Sequence, residues 1–121
     1  MPKKFIRSFK YARAGMKHIV TTQRNIRIHL VAGLLAVLAA FWLRVSTVEV
    51  AILALTISFV IVAEMVNTAI EETINLAQPG EHPLAGMIKN IAAAAVLTAA
   101  FASLIVGALI FIPRLIELWP K

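Results

Sequence analysis

Two kinds of hydrophobic pattern follow one another along the chain. Over the first 25 residues, Phe5, Phe9, Ala12, Met16, Ile19 and Val20 recur at helical spacing, while Lys3, Arg7, Lys10 and Lys17 fall on the other side. That alternation predicts an amphipathic helix lying in a membrane interface over residues 1–25. Beyond it come stretches that are apolar all round. The first covers residues 28–44 and is short, but Arg27 and Arg44 can snorkel at its ends. The second covers 48–76. The third covers 84–118, with an uncharged core from Ile91 to Ile112 and an alanine-rich face for close helix packing. Val45 to Glu49 predicts a brief turn. Gln78, Pro79, Gly80, Glu81, His82 and Pro83 are dense in turn residues and predict the second connection. Pro113 either kinks the third span or ends it. The expected architecture is all-α: one integral-membrane domain, 1–121, with a surface helix and three transmembrane helices.

Composition agrees. Hydrophobic residues are 60% of the 121 and charged residues 15%, against about 45–50% and 25% in soluble globular chains. This excludes intrinsic disorder and disfavours an ordinary soluble enzyme. The absence of cysteine excludes disulfides, thiolate metal sites and cysteine nucleophiles.

The placement of charge matters more than its net value of +6. Eight of the 12 basic residues precede Leu30, and no acid precedes Glu49. A nucleic-acid arm would have this charge, but the hydrophobic run that follows at once favours a membrane surface and no nucleic acid. An n-region of nearly thirty amphipathic residues is unlike a signal peptide, so the N-terminus is expected to be retained. The positive-inside rule puts it in the cytoplasm, together with the second loop. The first loop and the C-terminus, with Arg114 and Lys121, fall outside.

Glu64, Glu71 and Glu72 interrupt the second span. Carboxylates there are costly and point to function. At about 1.5 Å per residue, Glu64 lies roughly 21–24 Å from the outer end of the span, just inside the cytoplasmic boundary of a hydrocarbon layer about 30 Å thick. Glu64, Asn67, Thr68 and Glu71 stand at i, i+3, i+4 and i+7, one polar stripe. Lys89, Asn90 and His82 are expected at the same depth. Such a stripe can hold a divalent metal through oxygen ligands with the lysine on phosphate, or act on a substrate whose head group sits at the interface. In the plainer reading, Glu64 and Glu71 pair with Lys89, Arg24 or Arg27 and fix helix packing. Glu72 reads as a solvated helix-end charge, and His18 and His29 as interfacial polar residues. No H-E-x-x-H, P-loop, G-x-G-x-x-G or nucleophile elbow occurs.

The run Glu64-Met65-Val66-Asn67-Thr68-Ala69-Ile70-Glu71 closely resembles the signature of the prokaryotic diacylglycerol kinase and undecaprenol kinase family of small membrane lipid kinases. Phe9, Tyr11, Ala12 and Gly15 resemble its surface helix, and Gln23 to His29 the entry to its first span. His82-Pro83-Leu84-Ala85 with Lys89, and Ala93 to Leu97, resemble its third-helix start and the stretch that follows. The likeness runs over nearly the whole chain. It implies a homotrimer in the bacterial inner membrane, with a cytoplasmic site that moves the γ-phosphate of ATP, with Mg²⁺, to a lipid hydroxyl. It implies Glu64 as general base, Asn67 as an organiser of the site, and Glu71 and Gln23 as metal ligands. Lys4, Tyr11, Gln23, Glu71, Glu81, His82, Lys89 and Asn90 would surround the nucleotide. The chain departs from the pattern at Gln23, where Glu is frequent, at Asn75 and Asn90, where Asp is usual, and at Gly86, often Lys. Two alternatives follow: a small multidrug-type transporter, which would have four spans and an acid in the first, and a weakly active or inactive kinase homologue with a structural role.

Overall fold

The computed structural model describes residues 2–120, so Met1 and Lys121 lie outside the described residues. It contains four helices: α1 (Pro2–Thr22), α2 (Arg24–Trp42), α3 (Thr47–Ala77) and α4 (Pro83–Leu118). The last three are long and apolar enough to cross a membrane. At about 1.5 Å per residue, the 31 residues of α3 outrun the hydrocarbon layer, so its ends reach the interfaces.

The expected surface helix is shorter than 1–25, and its end has a local cause. Gln23 is extended (φ −110°, ψ 114°). The Arg27 guanidinium folds back and donates to the carbonyls of Val20 at 2.9 Å and Thr21 at 3.2 Å. A cation thus satisfies carbonyls that the end of α1 leaves open. Ile19 and Ile26, on either side of the elbow, are both buried.

The α2–α3 turn is tighter than the sequence suggests. Arg44 takes a left-handed conformation (φ 55°). Its N–H donates to Phe41 O, and Val45 N–H donates to Ala40 O, each at 3.2 Å. This is a Schellman ending, and Val45 packs on the cluster around Ala40. Glu49, expected in the turn, lies instead in the first turn of α3. Ser46 Oγ accepts from Glu49 N–H at 3.2 Å while Ser46 N–H donates to Glu49 Oε1 at 3.3 Å, a capping box. Pro113 does not end α4, which continues to Leu118.

α3 is the central element and packs against both α2 and α4. Ala40, Leu53 and Ile110, one from each helix, form a buried cluster at one end of the bundle. Gly33 lets α2 approach α3 closely: a Cβ there would sit 2.8 Å from Ile57 Cγ2. Leu55, Leu104 and Leu109 are among the many large apolar side chains left exposed, as in a protein whose solvent is lipid. The chain is a multi-pass membrane protein.

Candidate functional site

The face of α3 that carries Leu53 and Val60 at one end carries Glu64 and Thr68 further on, and all four are buried. Glu64 is 3% exposed. It faces α2, where His29 Nε2 lies 3.2 Å from Glu64 Oε1. Ala40 against Leu53 and His29 against Glu64 set one antiparallel register, eleven residues apart on each helix. Continued by five residues to Arg24, where α2 begins, that register reaches Ala69, and the extended Gln23 stands just before it.

None of the cations expected beside Glu64 pairs with it. Arg27 is committed to the α1 carbonyls, Arg24 is exposed, and Lys89 Nζ donates to Asn75 Oδ1. His29 takes the position because it shares a helix face with Ile26 and Gly33, both buried. Glu72 is exposed as expected, yet it meets His18 Nε2 at 2.8 Å and links α1 to α3. The partners that sequence reasoning missed are thus His18, His29 and Asn75. Helical spacing from Ile26 and Gly33 was the available signal for His29.

Further along α3, Asn67 Nδ2 donates to Glu71 Oε1 at 3.3 Å. Asn67 Oδ1 is buried without a partner. Glu71 and Gln23 are half-buried. Among the described residues, no three His, Asp or Glu side chains converge to hold a metal.

The third level is a pocket of about 620 Å³ between the end of α3 and the start of α4. Asn75, Glu81, His82, Gly86 and Lys89 help line it. His82 is the N-cap of α4 and Pro83 its first residue, a preorganised start for a helix. His82 Nδ1 accepts from Leu84 N–H at 3.1 Å. In the neutral ring that bond leaves the proton on Nε2, so His82 offers a donor. Lys4 and Tyr11 are exposed on α1, and Asn90 is exposed beside Lys89; none of the three lines this pocket.

The polar groups therefore do not share one depth, as the stripe suggests. They form a ladder along α3. His29 and Glu64 are innermost, Asn67 and Glu71 follow, and Asn75, Lys89 and the loop come last. From Glu64 to Asn75 is about 16 Å along the helix axis.

The family model described as prokaryotic diacylglycerol kinase matches residues 10–111. A diacylglycerol kinase of Synechocystis sp. is 43% identical over 92% of this chain, which spans 64% of that relative's length. An undecaprenol kinase of Bacillus subtilis is 38% identical, with 93% of this chain and 91% of the relative covered. A diacylglycerol kinase of Escherichia coli is 30% identical, with 84% of each chain covered. With four helices among its described residues, three of them apolar enough to span, and a match over most of its length, the chain belongs to the prokaryotic diacylglycerol kinase family.

Proposed function

We propose that the chain is a lipid kinase that moves the γ-phosphate of ATP to the hydroxyl of diacylglycerol or undecaprenol, giving phosphatidic acid or undecaprenyl phosphate. The observation that carries this reading is the ladder on α3: a buried carboxylate at Glu64, an oxygen-rich level at Asn67 and Glu71, and a pocket lined by Lys89 and His82. That order suits a lipid alcohol entering from the hydrocarbon side and a nucleotide entering from the aqueous side. The names of the relatives support the same chemistry.

In this reading Glu64 takes the hydroxyl proton as general base once the hydroxyl comes within hydrogen-bond reach of its carboxylate. Lys89, steadied by Asn75, and the His82 Nε2 donor bind phosphate oxygens in the pocket. Mg²⁺ fits the donor chemistry: the Glu71 carboxylate and the Gln23 amide oxygen are hard oxygen ligands, and Asn67 Oδ1 is an acceptor still unpartnered. Glu71 and Gln23 would hold the ion. Its contribution is to neutralise charge building on the phosphates.

A single protomer supplies few ligands and an open pocket, so we take the working form to be a homotrimer whose neighbouring α1, with Lys4 and Tyr11, completes the nucleotide site. The basic N-terminus orients site and N-terminus to the cytoplasmic face of the bacterial inner membrane. The transporter alternative needs four spans and an acid in the first. This chain has three candidate spans among its described residues, and α2 carries no acid.

The test is reconstitution of the full chain in bilayers with Mg-ATP, offering diacylglycerol and undecaprenol separately. Phosphorylation of one lipid is expected, together with loss of turnover in both Glu64→Gln and Glu71→Gln. A folded protein that phosphorylates neither lipid refutes the proposal.

A further inference from the structure

We propose that His29 is a positioning residue for the reaction: it holds one carboxylate oxygen of Glu64 so that the other is presented to the lipid hydroxyl. The inference rests on the reading of Glu64 as general base. A carboxylate enclosed to this degree is strongly disfavoured without a partner. The side chain facing Glu64 from α2 is His29, with Nε2 3.2 Å from Oε1. Among the described residues, no lysine or arginine forms an ion pair with Glu64. The neighbouring candidates are engaged elsewhere: Asn67 with Glu71, Lys89 with Asn75, Arg27 with the α1 carbonyls.

His29 is also rigidly mounted. Ile26, one turn before it, is fully buried. Gly33, one turn after it, is buried against Ile57, where even a Cβ would sit 2.8 Å from Cγ2, so α2 and α3 are closely packed beside His29. A site on two locked helices is held more tightly than one on a loop. In the step itself, the hydroxyl O–H bond breaks and its proton passes to Glu64. The oxygen forms its bond to the γ-phosphorus, and the bond from that phosphorus to the β–γ bridging oxygen breaks, releasing ADP. A carboxylate free to rotate would meet the hydroxyl out of line, and misplacement of about 1 Å can lower the rate about 100-fold.

The experiment is steady-state kinetics of the reconstituted full chain with Mg-ATP and whichever of diacylglycerol or undecaprenol the wild type phosphorylates. His29→Leu is expected to lower kcat about 100-fold and to leave KM for ATP unchanged. His29→Gln, whose side-chain amide can reach the same carboxylate, is expected to recover most of kcat. His29 lines a cavity of about 180 Å³ between α2, α3 and α4, so His29→Gly is expected to be rescued by added imidazole. Wild-type kcat in His29→Leu, while Glu64→Gln is inactive, overturns the inference and leaves the base intact. So does an equal loss in His29→Leu and His29→Gln, with no imidazole rescue of His29→Gly. An active Glu64→Gln overturns the base reading itself.

Discussion

Asn75 Oδ1 accepts a hydrogen bond from Lys89 Nζ, tying the last turns of α3 to the second turn of α4 at the mouth of the large pocket. The acceptor is a neutral amide. It orients the ammonium group without neutralising it, so the full positive charge remains available to a phosphate. The usual Asp would add an anion at this point; the Asn keeps the geometry.

The consequence is measurable in ATP titrations. Asn75→Leu frees Lys89 from its level and is expected to raise KM for ATP about tenfold, the scale of one hydrogen bond to a charged group. Asn75→Asp keeps an oxygen in place and is expected to stay within a few-fold of wild type. Equal KM values in Asn75→Leu and wild type would mean that the bond has no part in nucleotide binding.

The opposite end of the bundle is held separately. Arg114 Nη2 lies 2.6 Å from Glu49 Oε1, so the end of α4 is fastened to the capping box that begins α3. Ser46→Ala removes the cap and is expected to lower stability by about 1 kcal/mol, seen as a lower thermal midpoint in detergent. Turnover at saturating substrate is expected to be unchanged, because Glu49 and Glu71 are about 33 Å apart along α3.

Helix closeness at Gly33 gives a third expectation. A side chain there meets Ile57 Cγ2, a methyl on a branched carbon that cannot swing away. Gly33→Val is expected to destabilise the protein by about 1–3 kcal/mol through overpacking. Ile57→Ala should return part of that loss in a double-mutant cycle, because the two positions share one contact.

The helices were legible because apolar runs and turn residues are local signals. Pro83 with His82, and the cluster from Gln78 to Pro83, announce α4 directly. The acidic stripe of α3 was legible for the same reason, since i, i+3, i+4 and i+7 belong to one helix. Its partners were not. Whether Glu64 meets Arg27, Lys89 or His29 depends on the register between helices, which Gly33 and the Arg44 turn set. Arg27 looked like a membrane anchor, and nothing in its spacing said that it would cap α1 instead. The level of Lys89 has the same cause: the bounds of α3 and α4 are legible to within a residue, but how the connection between them sets one helix against the other is not, and it places Lys89 on Asn75, past Glu71 rather than beside Glu64.

The two histidine–glutamate pairs separate burial from chemistry. His18 with Glu72 and His29 with Glu64 have the same groups at 2.8 and 3.2 Å. The side chains of the first pair are 55% and 52% exposed, those of the second 26% and 4%. Water and salt screen the first pair, so it is worth about 0.2–1 kcal/mol. It steadies α1 on α3 and does little else. Glu72→Gln is therefore expected to change kcat less than about twofold, an effect on the scale of that weak pair, while raised salt loosens α1, read as faster amide exchange near His18. Water cannot replace the partner of Glu64. Glu64→Gln is expected to abolish turnover while leaving ATP binding intact by calorimetry, since the nucleotide pocket lies further along the ladder. Similar losses of kcat from Glu64→Gln and Glu72→Gln would mean that burial does not distinguish the two carboxylates, and Glu64 would lose its claim as the base.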